Sequence, residues 1–396
     1  MATADPMPDV TSAAPPATGS LLVLLAAMPT EQLETAVEKL AAAFPGENLL
    51  IAAPDGFAAS AWPELQFVPT PQTGTSWTLT AADFAHACQL SQKHESRGIL
   101  LLGQEAGSLS AADLRGLADA VLTSGADLAI PRYDLPPHAG LVNSAILYPL
   151  TRALFASRAR YPLAIDLGLS RRMAERLGSV AQRYTSLNQG DALLWPVNEA
   201  VAAGFAISEI DAGPRTLPRP TDPDISAILP HVAGSLFSDI DARAAFWQRP
   251  RQLPPARPPL PLNSEADEPA DIAPMLDAFR LAYTNLQEIW SLVLPPNSLL
   301  GLKRLAVVEA PAFRMPDNLW ARIVYDFLLA YRLRTINRGH LLGALVPLYL
   351  AWVASHLNTA ASGTSPERHV EAVAAAFEAD KPYLVSRWRW PDRFNP

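Results

Sequence analysis

ILLLGQEAGSLSAADLRGLADAVLTSGADLAIP, residues 99–131, holds two short apolar runs that are separated by a segment of helical period. The runs at 99–102 and 126–131 have the length and composition of strands, whereas the apolar residues of 110–124 recur every three to four positions. A strand, a helix and a second strand in this order predict a βαβ unit, in which the two strands are parallel.

The same alternation continues on both sides of this stretch. The further segments are strands at 21–26, 49–53 and 65–68, and helices at 30–44, 80–94 and 142–157. Repeated βα units predict an α/β fold with a mostly parallel sheet flanked by helices. Ligands of such sheets bind beyond the carboxyl ends of the strands, so a site is expected in the loops after Leu102 and Pro131.

Proline marks the end of this region. Six of the chain's 38 prolines lie between Pro250 and Pro261, in RPRQLPPARPPLPLNSEADEP (249–269). Because proline fixes φ and lacks an N–H group, this segment is expected to be extended and to tether two domains; a partner-binding motif is the alternative. Only helical periodicity follows it, at 270–293, 318–336, 339–357 and 366–379.

The predicted organisation therefore has four parts. Residues 1–19 form a disordered leader, 20–220 an α/β domain, 221–265 a helix and the Pro-rich linker, and 266–396 an all-α domain. The leader lacks the basic and apolar regions of a signal peptide. The longest apolar run, 341–354, has 14 residues and contains Pro347, whereas a bilayer needs about 20, so no transmembrane helix is predicted.

Composition excludes several classes of function. The chain has 396 residues, 49% of them apolar, and a formal net charge of -8, so neither a disordered protein nor a general nucleic-acid binder is expected. Cys88 is the one cysteine, which excludes a disulfide and a cysteine-based zinc site and favours a cytoplasmic location. No dinucleotide-binding, P-loop, H-E-x-x-H or G-x-S-x-G motif occurs.

A longer pattern lies in ILYPLTRALFASRARYPLAIDLGLSRRMAERL (146–177). It resembles GT-A-fold glycosyltransferases related to glucosylglycerate and mannosylglycerate synthases, in which Y-P-L-T-R-A-L-Y-G precedes Q-P-I-G-G-D-F-G-x-S. The matching residues are Tyr148, Pro149, Leu150, Thr151, Arg152, Ala153, Leu154, Pro162, Asp166, Gly168 and Ser170.

The resemblance continues in the carboxyl-terminal region, which is similar to the helical domain of bacterial members of this group. The matches there include Trp320, Arg322, Tyr325, Asp326, Tyr331, His340, Pro347 and Tyr349. The closing K-P-Y-L-x-x-R-W segment of the group is matched by Lys381, Pro382, Tyr383, Leu384, Arg387 and Trp388. The resemblance implies that 20–220 is a GT-A-like domain that binds a nucleotide-sugar.

The metal site of this group is altered in the present sequence. A Mg²⁺ or Mn²⁺ ion held by a D-x-D motif stabilises the leaving diphosphate. Here GILLL (98–102) is followed by Gly103-Gln104-Glu105, which keeps one carboxylate. The position of the histidine ligand falls near Leu217, so the resemblance implies that any cation is held weakly.

Two further motifs of the group have changed. The G-I-D-I-W segment becomes ALLW (192–195), with Leu193 near the position of the acid. The Y-x-R-H-x-x-D-G loop becomes YDLPPHAG (133–140).

The resemblance leaves Asp166 as the catalytic candidate, because it matches the aspartate of G-G-D-F-G, which lies beside the sugar and the acceptor. The alternatives are a cap on the helix that starts near Ser170 or a salt bridge with Arg160. The two glycines before this aspartate are replaced by Ala164 and Ile165, and their β-carbons obstruct a close backbone approach to a ligand.

Four residues are candidates for binding the donor. Glu105 is the candidate metal ligand, and Gln104 beside it offers a neutral carbonyl oxygen; an exposed loop glutamate is the alternative for Glu105. Arg132 and His138 are candidates for neutralising the diphosphate, against a salt bridge with Asp134 for the arginine and a solvated imidazole for the histidine.

The resemblance implies two alternative functions, and the sequence alone does not decide between them. The first is a glycosyltransferase that moves a sugar from a nucleotide-sugar donor to a small hydroxylated or carboxylated acceptor, with Mg²⁺ or Mn²⁺ as a weakly held cofactor. The second is a non-catalytic pseudo-glycosyltransferase that binds a sugar, a nucleotide or a protein partner and needs no metal. Either function is compatible with a homo-oligomer.

Overall fold

The computed structural model describes residues 21–54, 57, 59–70, 77–136, 138–217, 225–256 and 271–390. The predicted leader, 1–19, and most of the Pro-rich linker lie outside the described residues. The first residues of the linker, 249–256, have neither helical nor strand structure, as their proline content predicts.

A seven-stranded sheet forms the centre of the α/β region, in the order β3-β2-β1-β4-β6-β5-β7. Its strands are β1 (Leu21–Leu25), β2 (Leu49–Pro54), β3 (Gln66–Thr70), β4 (Gly98–Leu102), β5 (Leu128–Asp134), β6 (Asp166–Ser170) and β7 (Ile207–Pro214). β6 pairs antiparallel with both of its neighbours, whereas the other pairings are parallel. The prediction of a mostly parallel sheet in an α/β fold is confirmed.

Helices cover both faces of the sheet. α1 (Thr30–Ala43) and α3 (Ala111–Leu122) pack on one face, and α2 (Ala81–Lys93) and α5 (Arg171–Thr185) pack on the other. Successive residues of a strand point to opposite faces, so a strand that is covered on both sides must be apolar throughout. β1, LLVLL, is such a strand, and all five of its residues are buried.

Another helix, α6 (Pro196–Ala203), buries Val197 and Ala200 in the core that α2 and α5 form with the sheet. The remaining helices build a second core. They are α4 (Tyr148–Phe155), α7 (Ile225–Ala242), α8 (Ala244–Trp247), α9 (Ala273–Asn285), α10 (Gln287–Val293), α11 (Pro296–Ala306), α12 (Asp317–Leu333), α13 (Arg338–Ala361) and α14 (Pro366–Arg389). This core is not confined to the predicted domain 266–396, because it includes Leu150 of α4 and Phe237 of α7.

The segment that resembles the closing motif of the glycosyltransferase group ties α14 to this core. The Tyr383 hydroxyl donates to Asp326 Oδ1 over 2.6 Å, and Arg387 Nη1 donates to the same oxygen over 3.0 Å. The Trp388 ring meets the Trp247 ring edge-on at 4.9 Å. Three of the matched residues therefore have structural contacts.

α13 is long and apolar enough to cross a membrane by length and composition. However, 78% of its most apolar window is buried inside the protein, which is typical of a core helix. Its apolar face is therefore not available for the membrane-surface contact that an exposed helix of this kind makes.

Candidate functional site

The site expected at the carboxyl end of β4 is centred on Asp166. β6 begins at Asp166, and the antiparallel pairing with β4 places this residue opposite Leu102. Gly103 follows Leu102, and a Cβ at this position would lie 2.8 Å from the Ile165 carbonyl oxygen. A glycine is therefore needed for the close approach of the two chains, and its N–H donates to Asp166 Oδ1 over 3.0 Å.

The Asp166 carboxylate is buried and fully bonded. Arg215 Nε donates to Oδ2 over 2.9 Å and Arg215 Nη2 to Oδ1 over 3.2 Å, so the pair is bidentate. The Tyr133 hydroxyl donates to Oδ2 over 2.6 Å. The side chains of Asp166 and Arg215 are both 0% exposed. Asp166 therefore presents no oxygen to a ligand. The helix expected to be capped by Asp166 is capped by Ser170 instead, whose Oγ accepts a hydrogen bond from the Met173 N–H.

Arg215 was not identified from the sequence, although it lies in the segment GPRTLP that holds Leu217. It follows β7 directly and reaches the loop after β4. There Nη2 donates to the Gln104 carbonyl oxygen over 2.7 Å and Nη1 to that of Glu105 over 2.6 Å. The signal that could have indicated it is an arginine two positions from an expected cation ligand.

The guanidinium has no hydrogen left for a ligand. Its Nη1 also donates to the Thr216 carbonyl oxygen over 2.6 Å and to Ser108 Oγ over 3.2 Å, so each of its five N–H groups has an acceptor within the protein. Burial lowers the pKa of Arg215, but the charge of Asp166 and the hydrogen bonds more than offset this effect and raise it overall. Arg215 is thus a permanent internal cation.

The side chains of Gln104 and Glu105 turn towards α1 and the loop before it. Gln104 Nε2 donates to the Ala27 carbonyl oxygen over 2.9 Å, and the Glu105 carboxylate accepts a hydrogen bond from Gln32. Glu105 has a left-handed backbone conformation, with a φ of 60°. The structure therefore brings Asp166 and the backbone of residues 103–105 together through Arg215.

Divalent cations need several oxygen ligands, and this loop does not supply them. Glu105 is half-buried and offers one carboxylate, whereas the neighbouring carbonyl oxygens and Asp166 are bonded to Arg215. Among the described residues, no group of three or more His, Cys, Asp or Glu side chains is placed to hold a metal ion. The residues present do not fit Mg²⁺ or Mn²⁺.

Arg132 forms an ion pair with Asp211 on the neighbouring strand. Arg132 faces Asp211 in the parallel pairing of β5 and β7, and its Nη2 lies 2.7 Å from Asp211 Oδ1. Arg160 pairs with Glu367 of α14 over 2.8 Å, so the alternative that Arg160 bonds Asp166 is wrong. We define the Arg215 cluster as Asp166, Arg215, Tyr133 and the backbone of residues 103–105, and the carboxylates of Asp211 and Glu367 are not part of it.

An apolar cavity of about 350 Å³ lies beside this cluster. Tyr133, Ile165 and Leu217 line the cavity on the side of the sheet. Tyr133 belongs to the Arg215 cluster, Ile165 precedes Asp166, and Leu217 lies two positions after Arg215. His138 is exposed and also lines the cavity. The structure therefore places one of the predicted donor-binding residues at an apolar surface.

No protein-family model matches the sequence, and no curated protein matches it. Solved structures with some likeness include glucosyl-3-phosphoglycerate synthase from Mycobacterium tuberculosis in complex with phosphoglyceric acid. It is 14% identical and has a TM-score of 0.36, and the match covers 56% of this chain and 79% of that chain.

The same enzyme in complex with Mn²⁺, UDP-glucose and phosphoglyceric acid is 14% identical with a TM-score of 0.37, over 56% and 79% of the two chains. A structure described as a mycobacterial protein is 13% identical with a TM-score of 0.35, over 56% and 74%. Likeness at this level does not assign an activity.

Proposed function

We propose that this chain is a glycosyltransferase-like protein that no longer transfers sugar and instead serves as a binding protein. The sequence motifs at 146–177 and 381–388 support descent from a GT-A glycosyltransferase. One observation supports the proposed loss of sugar transfer. The Arg215 guanidinium bonds the Asp166 carboxylate and the carbonyl oxygens of residues 104 and 105, where the group's cation and sugar sites are expected.

Electrostatics explains why an internal cation and a metal ion exclude each other at this place. A divalent cation beside a buried guanidinium is repelled in a region of low dielectric constant, where the interaction is strong. The carboxylate that would offset this repulsion, Asp166, already bonds Arg215 through both of its oxygens. A nucleotide-sugar would therefore meet neither a bridging cation nor a free guanidinium for its diphosphate.

A protein that no longer transfers sugar can retain this fold for a physical reason. The pair of Asp166 and Arg215 joins β6, the end of β7 and the loop after β4, so the cluster stabilises the edge of the sheet that once had to bind a metal. A metal-free protein thus keeps the three elements in place. An active transferase would require Arg215 to leave this position and expose Asp166.

Calorimetric titration of the purified chain with UDP-, GDP- and ADP-glucose tests the proposal, with each donor run in Mn²⁺ and again in chelator. We expect no metal-dependent binding of any donor. The matched variant is Glu105→Ala, which removes the one carboxylate of the loop after β4, bonded to Gln32, and leaves the Arg215 cluster intact. Metal-dependent binding of one donor that Glu105→Ala weakens at least tenfold would overturn the proposal.

A further inference from the structure

We propose that the apolar cavity beside the Arg215 cluster binds a small, neutral and mainly apolar molecule that carries one hydroxyl group. This inference rests on the proposed function and deepens it by naming the class of ligand. At about 350 Å³, the cavity lies within the range of about 300–1,000 Å³ that is typical of small-molecule sites.

Three residues of the cavity wall come from positions where the resembling glycosyltransferases have a different residue type. Leu135 stands at the arginine of Y-x-R-H-x-x-D-G, Ile165 at the second glycine of G-G-D-F-G, and Leu217 near the histidine ligand. All three line the same cavity, although they belong to separate loops. Three apolar side chains at these positions give this wall of the cavity an apolar surface, which favours an apolar ligand over a charged one.

The helical part of the molecule supplies the opposite wall. Ile228 and Val232 of α7 and Tyr349 of α13 line the cavity there. The cavity therefore lies between the sheet edge and the helical core, and a bound molecule is surrounded by apolar side chains. Transfer of an apolar surface from water into such a space is favourable.

Two polar groups remain in the cavity wall without a partner. Tyr349 is 5% exposed, and its hydroxyl makes no hydrogen bond within the described part of the chain. Asn143 uses its Nδ2 to donate to the Arg160 carbonyl oxygen over 2.9 Å, and its Oδ1 makes no hydrogen bond to another described residue. Neither oxygen is among the fully buried side-chain atoms that lack a partner in the described part of the chain, so both are accessible to a molecule in the cavity.

The chemistry of these groups selects a neutral ligand with a hydroxyl. Burial raises the pKa of the Tyr349 phenol, which therefore stays protonated and can donate a hydrogen bond, whereas the Asn143 carbonyl can only accept one. A ligand hydroxyl can accept a hydrogen bond from the first group or donate one to the second. Apart from the exposed His138, the described lining contains no basic or acidic side chain, so it favours a neutral ligand over a charged head group.

The probe that tests this inference is 1-octanol, titrated calorimetrically into the full chain. We expect saturable binding with one site per chain. Ile228→Trp places a larger ring in the cavity and should abolish binding, whereas Val307→Trp, at a position that is 81% exposed and outside the cavity, should leave it unchanged. Tyr349→Phe removes one hydrogen bond and should weaken binding about 2- to 10-fold.

The result that overturns the inference is either no saturable binding of 1-octanol to the unaltered chain or equal binding to the Ile228→Trp variant. A parallel titration with UDP-glucose and Mn²⁺ separates this failure from failure of the proposed function. If neither ligand binds, only the apolar site is wrong. If UDP-glucose binds in a metal-dependent way, the proposed loss of the donor site is wrong as well.

Discussion

Two buried aspartates, one in the sheet and one in the helical core, show how differently these regions hold a charge. Asp166 begins β6 and Asp326 lies on α12, and they are 0% and 2% exposed. Each accepts a hydrogen bond of 2.6 Å from a tyrosine hydroxyl, Tyr133 in the sheet and Tyr383 in the helices. Each also has an arginine partner, so the two aspartates have the same two types of hydrogen-bond donor.

The two carboxylates differ in how many of their oxygens accept hydrogen bonds. Asp166 has a bidentate arginine and a backbone N–H, so both of its oxygens are bonded. Asp326 bonds Arg387 through Oδ1, whereas its Oδ2 has no hydrogen-bond partner among the described residues. Burial raises the pKa of Asp326 to about 7, which Tyr383 and Arg387 oppose without cancelling.

The backbone explains this difference. At the end of β4 the chain leaves the sheet, so the N–H of residue 103 and the carbonyl oxygens of 104 and 105 are free to bond Asp166 and Arg215. Inside α12 and α14 the backbone groups bond within the helix, so Asp326 depends on side chains alone. A charge cluster can therefore be fixed at a sheet edge more completely than between two helices.

The largest effect is expected from Arg215→Met. It leaves the Asp166 carboxylate buried without a counter-charge, and breaking a buried pair in this way costs about 3–5 kcal/mol. The free energy of unfolding, measured by urea denaturation and circular dichroism, should fall by that amount. A loss below about 1 kcal/mol would show that the Arg215 cluster does not stabilise the sheet.

A smaller effect, dependent on pH, is expected from Asp326→Asn. The folded pKa of about 7 lies above the unfolded value of about 3.9, so the folded state binds this proton more tightly. The contribution of Asp326 to stability is fully present below about pH 4 and is lost as the pH rises to about 7. The change over this window is at most about 4 kcal/mol, since one pKa unit corresponds to about 1.4 kcal/mol.

Asp326→Asn should remove this fall. Urea denaturation of both proteins between pH 4 and pH 8 measures it, because other titrating groups contribute equally to the two chains. If the difference in unfolding free energy between the variant and the unaltered chain does not change with pH, the assigned pKa of Asp326 is wrong.

Arg387→Met makes the same chemical change as Arg215→Met, because each removes the arginine partner of a buried aspartate. It therefore tests the comparison between the two regions directly. Because Asp326 can take up a proton near neutral pH, removal of its arginine should cost only about 1–2 kcal/mol at pH 7. Urea denaturation under identical conditions measures both variants. Equal losses in Arg215→Met and Arg387→Met would remove the distinction between the two regions.

The smallest effect is expected from Arg132→Met. Asp211, its partner, has a side chain that is 56% exposed, and exposed ion pairs contribute at most about 1 kcal/mol. A thermal-unfolding comparison with the unaltered chain should therefore show little change. A loss as large as that of Arg215→Met would mean that Arg132 has a structural role comparable with that of Arg215.

The sequence predicted the parts of the fold that carry a periodic apolar pattern. Five strands were predicted because burial on two faces, or apolar alternation, leaves a visible run of residues. β6, DLGLS, and β7, ISEIDAGP, were missed because polar residues and glycine interrupt them, and their place in the sheet depends on pairing with distant strands. α11, Pro296–Ala306, was also missed.

The candidate site was predicted less completely. The sequence Gly103-Gln104-Glu105 shows directly that this loop has one carboxylate where the D-x-D motif of the resembling enzymes has two, because the number of carboxylates is a local property. The pairing of Asp166 with Arg215 is not local, since it depends on an arginine 49 positions after Asp166. Whether Glu105, Gln104, Arg132 and His138 bind a donor stays a prediction.

The central claim, that an internal guanidinium has replaced a metal ion, is tested most directly by titrating Mn²⁺ into the full chain in the presence of UDP. Electron paramagnetic resonance reports free Mn²⁺, and a mixture of UDP and Mn²⁺ without protein is the reference. We expect the protein to leave this reference signal unchanged. A protein-dependent loss of free Mn²⁺ that disappears in Glu105→Ala would contradict it.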